Sequence, residues 1–164
     1  MKAQKGFTLI EMVIVICILA VVAAVAIPQF RKMAINGNLK AAARDIMGDF
    51  ANMRGRAISE NASLAISFDP THNTYTVPFP GGSVKTPAYF SSDIHITGVV
   101  FPGGVTTLTF QTRGTVSPAG TNTITLANGL GSTATITALT AGRFYVQSFL
   151  SKIGSKKMAL QIAL

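Results

Sequence analysis

The chain is poor in the residues on which most enzymes and small secreted scaffolds depend. Its 164 residues include one cysteine, two histidines and only 6 acidic side chains against 14 basic ones. The lone Cys17 rules out an intramolecular disulfide, so a domain outside the cytoplasm must be held by its core alone. Cys17 reads as a small helix-packing residue. His72 and His95 stand apart, with no cysteine or paired carboxylate at metal-ligand spacing, so no metal site is expected. His72 reads as a turn residue and His95 as a sheet residue. Asp69 has no second acid nearby to share a calcium ion and reads as a turn former. Serine and threonine are abundant, but no G-x-S-x-G elbow occurs. The run Gly129-Leu130-Gly131-Ser132 lacks the lysine of a phosphate loop and opens no helix. No repeat of solenoid length is present, nor the strand-helix-strand alternation of a nucleotide-binding fold. The reading is therefore of a protein that is not an enzyme and carries no cofactor.

What the chain does have is concentrated at its start. From Phe7 to Ile27 the only ionisable groups are Glu11 and the Cys17 thiol. A helix over that run is about 30 Å long, enough to cross a bilayer core. Lys2 and Lys5 precede it, and Arg31, Lys32 and Lys40 follow. Three readings compete. A secretory signal would have a shorter apolar core, with Ala24-Val25-Ala26 as its cleavage site. A plain membrane anchor fits the length but gives no reason for Glu11, since a carboxylate in such a helix costs roughly 2.5–3.5 kcal/mol. A short basic leader cut after Gly6, with Phe7 as the new amino terminus, accounts for all the parts.

Beyond Pro28 the pattern becomes amphipathic. Phe30, Ile35, Leu39, Ile46, Phe50, Met53 and Ile58 recur at spacings of three and four, so the sequence predicts one long helix over roughly 7–59. It is expected to bend or melt locally near Pro28 and Gly37, because proline removes a backbone hydrogen bond and glycine weakens a helix. Leu64–Phe68 and Thr74–Val77 flank a turn at Asp69–Asn73 and predict a β-hairpin. Further strands are predicted at 94–100, 105–111, 122–127, 133–138 and 142–149, separated by Pro- and Gly-bearing turns. That spacing implies an antiparallel sheet or small sandwich, in an α+β fold. The expected divisions are a leader over 1–6, a membrane or filament-core helix over 7–28, an amphipathic helix over 29–60, a β-rich domain over 61–148 and a basic tail over 149–164. The tail predicts an extra strand or docked helix, or alternatively a basic ligand-binding arm.

Lys5-Gly6-Phe7-Thr8-Leu9-Ile10-Glu11, the apolar helix and Pro28 resemble the start of a type IV prepilin or type II secretion pseudopilin. Met53–Asn61 leading into Leu64–Phe68, then Leu108–Val116, and Ile136 to Val146 are similar to the GspH/FimT group of minor pilins. The resemblance implies a pilin-like fold, with the long helix packed on a β domain. It implies cleavage between Gly6 and Phe7 by a prepilin peptidase, which then methylates the Phe7 amine. It implies an assembly role for Glu11, opposite a neighbour's terminal amine, and for Pro28. The expected partners are other pilins or pseudopilins, an inner-membrane platform protein and membrane lipid. The expected location is the inner membrane, with the globular domain in the periplasm, and then the fibre. In the fibre the chain would start it, cap it or connect minor subunits. Removing Lys2 and Lys5 leaves 12 basic against 6 acidic residues, a net charge of +6. An alternative reading is therefore DNA binding for uptake, through Arg113, Arg143, Lys152, Lys156 and Lys157. Few aromatics accompany those charges, so the grip would be on phosphate rather than on bases.

Overall fold

In a computed structural model of the chain, the described residues are 7–78, 81–150 and 158–163. One helix, α1, runs Leu9–Ser59 and contains Pro28. The chain divides into two compact units, one ending at Ala34 and the other starting at Ile35.

In the first unit α1 presents only exposed large apolar side chains, from Leu9 to Met33. It is long and apolar enough to cross a membrane. The expected local melting near Pro28 and Gly37 does not occur: α1 runs unbroken through both. Proline forfeits one N–H, and the turns on either side keep their own hydrogen bonds. Gly37 has no neighbouring atom that a Cβ would meet, so it costs only its propensity, about 1 kcal/mol.

In the second unit the rest of α1 packs on two sheets, which among the described residues comprise ten strands. These are β1 (Leu64–Asp69), β2 (Thr74–Val77), β3 (Ser83–Lys85), β4 (His95–Val100), β5 (Thr107–Phe110), β6 (Val116–Ser117), β7 (Thr121–Ala127), β8 (Thr133–Leu139), β9 (Phe144–Leu150) and β10 (Met158–Ala163). They form two five-stranded sheets, β3-β2-β1-β5-β6 and β10-β9-β8-β7-β4, antiparallel throughout. Alternation along the strands sets which face is buried. In β1, Leu64, Ile66 and Phe68 face the core, and in β8 Ala134, Ile136 and Ala138 do. The predicted β1–β2 hairpin forms, with Phe68 opposite Tyr75, and Asn73 takes positive φ in its turn.

The buried stripe of α1 differs from the predicted one. Leu39, Ile46, Phe50 and Met53 are buried, but Phe30 is 69% exposed and Ile58 is half exposed. The stripe is completed by Ala42, Ala43, Met47 and Ala57, small or flexible side chains that let the helix approach the sheets closely. Phe50 is the hub. Its ring lies 6.3 Å from Phe68 and 5.6 Å from Phe110 of the first sheet, and 6.0 Å from Phe144 of the second. Truncating such a residue to alanine typically costs about 3–5 kcal/mol. Of the predicted tail, Met158–Ala163 forms an edge strand, β10 paired to β9, which is the extra strand among the expected alternatives.

Candidate functional site

The helix starts at a carboxylate that the sequence reading assigned only to a neighbouring chain. Thr8 is the N-cap and Glu11 lies three residues on, which is the spacing of a capping box. Glu11 Oε2 accepts from Thr8 N at 2.9 Å and from Thr8 Oγ1 at 3.0 Å, while Glu11 N donates to Thr8 Oγ1 at 3.3 Å. The carboxylate thus satisfies the N–H of Thr8, the Thr8 hydroxyl satisfies the otherwise unpaired N–H of Glu11, and the negative charge faces the positive end of the helix dipole. This gives Glu11 a local partner inside an apolar run, and the T-x-x-E signature was present in the sequence. Phe7, just before the cap, is 78% exposed. Gly6 lies outside the described residues.

The basic residues divide. Arg113 and Arg143 are exposed on two turns that touch. Gly114 and Gly142 follow and precede them, both at positive φ, where a side chain is strained. A Cβ on Gly142 would meet Gly114 O at 1.9 Å, so only glycine allows this contact. From α1, Arg54 Nε donates to Gly114 O at 3.2 Å, and Val116 N donates to Thr140 O at 2.9 Å beside it. The arrangement therefore brings Arg113 and Arg143 to adjoining turns, with Arg54 beneath. Lys152, Lys156 and Lys157 lie outside the described residues.

A second charged cluster went unread in the sequence. Asp49, only 9% exposed, projects from the buried stripe of α1. Lys85 Nζ of β3 approaches its two oxygens at 2.7 and 2.8 Å, and the Tyr75 hydroxyl lies 2.9 Å from Oδ2. The same hydroxyl lies 3.1 Å from Asp45 Oδ2. Burial, reinforced by the Asp49 and Asp45 carboxylates, pushes the Tyr75 hydroxyl far above its ordinary range, so it remains a donor. The signal was an aspartate three residues after Ile46, on the apolar face of the helix. This cluster fastens β2 and β3 to α1 and has no reacting geometry. Among the described residues no group of His, Cys, Asp or Glu could hold a metal ion. Asp69 accepts from Thr71 N at 3.0 Å and His72 N at 3.3 Å, as a turn former does.

A capped, exposed apolar helix continuing into a stripe packed on antiparallel sheets defines a pilin-like subunit. Residues 1–27 match the prokaryotic N-terminal methylation motif, and residues 42–147 match the family described as type II transport protein GspH. The chain belongs to that GspH family. It is also similar to two proteins of Pseudomonas aeruginosa, each called fimbrial protein, at 35% identity over 79 residues. That match covers 48% of this chain and 51% of each relative, so the chain spans about half the length of the curated relatives it matches. The crystal structure of the Pseudomonas aeruginosa type IV minor pilin FimU shares the fold. Its TM-score is 0.50 at 18% identity, covering 74% of this chain and 93% of that one.

Proposed function

We propose that the chain is a minor pilin or pseudopilin. It is made with a leader over residues 1–6, cut between Gly6 and Phe7 by a prepilin peptidase that methylates the new amine. It is held in the inner membrane with its β domain in the periplasm, and is then built into a pilus or pseudopilus. The observation that carries this reading is the helix from Leu9 to Met33: every large apolar side chain on it is exposed, and its first turn is capped by Glu11. Such a surface needs lipid or other helices of the same kind around it. In a stack of subunits, a Phe7 ammonium from a neighbour approaches a carboxylate already oriented by Thr8. Each charge offsets much of the other's cost of leaving water. Pro28 permits adjustment of the helix as subunits pack. The β domain gives the subunit its place, starting the fibre, capping it or joining other minor subunits, with the platform protein as inner-membrane partner. Replacing Gly6 by leucine should leave an uncut precursor in the membrane, seen as a slower band on a gel. Glu11→Ala should be processed normally yet enter fibres poorly; normal incorporation would remove Glu11 from the mechanism.

The contact between Gly114 and Gly142 favours a second reading, in which the β domain grips DNA during uptake. It joins Arg113 and Arg143, with Arg54 behind them; Lys152, Lys156 and Lys157 belong to this reading through their charge in the sequence alone. Binding of this kind weakens steeply with salt, in proportion to the phosphates neutralised. A gel shift with the full-length chain in detergent tests it. A salt-sensitive shift that is reduced by changing Arg113 and Arg143 to alanine supports the reading; no shift at low salt retires it.

A further inference from the structure

Beside β3, the edge strand of the first sheet, runs an open groove of about 350 Å³ lined by Asp45, Val84, Lys85, Thr86, Tyr89 and Phe90. Its apolar walls are bare, with Val84 66% and Tyr89 86% exposed. Thr86 Oγ1 accepts from Ala88 N at 3.2 Å, capping the 3-10 turn Pro87–Tyr89 that presents the tyrosine ring. Tyr89 meets Phe90 edge to face, with centroids 5.5 Å apart, which steadies the ring. The acid in the groove is Asp45. Its Oδ2 lies 3.1 Å from the Tyr75 hydroxyl and 3.8 Å from Lys85 Nζ, which is itself engaged by Asp49, and the Asp45 side chain stays 43% exposed. The groove thus holds a partly exposed carboxylate, with one flank open to solvent, beside an exposed aromatic ring.

We propose that this groove docks a basic segment of another protein subunit. One arginine or lysine side chain lies between the Asp45 carboxylate and the Tyr89 ring, and the apolar residues flanking it rest on Val84. The charge complementarity is specific: a carboxylate and the face of a tyrosine ring both attract a cation. A phosphate chain would meet Asp45 and be repelled, so this surface is separate from the arginine-bearing turns. The source of the segment rests on the fibre-subunit reading, but the binding itself does not.

The test uses the full-length chain in detergent micelles, with NMR of the Val84–Phe90 amides. The probe is the peptide acetyl-Thr-Val-Arg-Val-Thr-amide, and the control has glutamate in place of its arginine. A saturable shift confined to Val84–Phe90 is expected with the arginine peptide only. Asp45→Asn and Tyr89→Ala, both at exposed positions, should each weaken it about threefold to fivefold. The proposal is overturned by the absence of a saturable shift, by an equal response to both peptides, or by unchanged affinity in both variants. A mass that rises with protein concentration without peptide, and does not rise in Tyr89→Ala, would assign the groove to a second copy and also overturn it. Failure here would leave cleavage at Gly6–Phe7 and fibre entry untouched, so the two readings fail separately.

Discussion

Lys85→Met should destabilise the domain more than Asp49→Ala, even though both delete the same ion pair. The lysine variant strands a carboxylate that is 9% exposed and keeps only the Tyr75 hydroxyl, at 2.9 Å. Breaking a fully buried pair in this direction costs about 3–5 kcal/mol. The Lys85 side chain is 36% exposed, so water reaches the site, and about 2 kcal/mol is the expected loss. In Asp49→Ala the lysine turns to solvent and Tyr75 keeps Asp45 at 3.1 Å, so the loss falls to about 1 kcal/mol. The double variant has no stranded charge and should also lose about 1 kcal/mol, giving a coupling of about 2 kcal/mol. Thermal unfolding of the full-length chain in micelles, followed by near-ultraviolet circular dichroism, reads these differences directly. For a unit of this size Lys85→Met should lower Tm by about 6–8 °C and the other two by about half as much. If Lys85→Met lowered Tm no more than Asp49→Ala, or if the two losses simply added, the cluster would not act as the clamp described.

Two further tests concern the loops. Gly142→Ala combines a left-handed backbone with a Cβ driven onto Gly114 O, and should cost about 3 kcal/mol or more while leaving the sequence of folding elements intact. A variant as stable as the parent would contradict the contact between the two turns. Asp93 is held below the ordinary carboxylate range, chiefly by the Ser91 hydroxyl and also by the Gly129 amide, which approaches it at 3.2 Å. Because its folded pKa is depressed, its contribution is present above the unfolded value and is lost as pH falls through the folded one. The Gly129 amide resonance should therefore titrate with a midpoint below that of an exposed aspartate; a midpoint at or above it would refute the assignment.

The parts of the fold legible in the sequence were those with a strong period or strong punctuation. The long helix, the β1–β2 hairpin and the strands β4, β5, β7, β8 and β9 have apolar alternation or helical spacing bounded by Pro and Gly. Strands β3 and β6 span three and two residues, too short to show a period. Phe30 and Ile58 fitted the helical spacing but are exposed, because spacing alone does not say how far along the helix the sheets reach. Asp49 is not legible from sequence, because one acid in an apolar stripe has no local partner and Lys85 lies 36 residues away. The Thr8–Glu11 box is legible in full as T-x-x-E, and a carboxylate in an apolar run has this local partner three residues away as well as any in another chain. Arg113 and Arg143 stand out in the sequence by charge alone. Their proximity depends on a glycine–glycine contact that no local pattern encodes.

Intact mass spectrometry of the chain recovered from cells that carry the native assembly machinery tests the central claim most directly. A product beginning at Phe7, heavier by one methyl group, is the predicted result. A product beginning at Met1 or at Ile27 would contradict it.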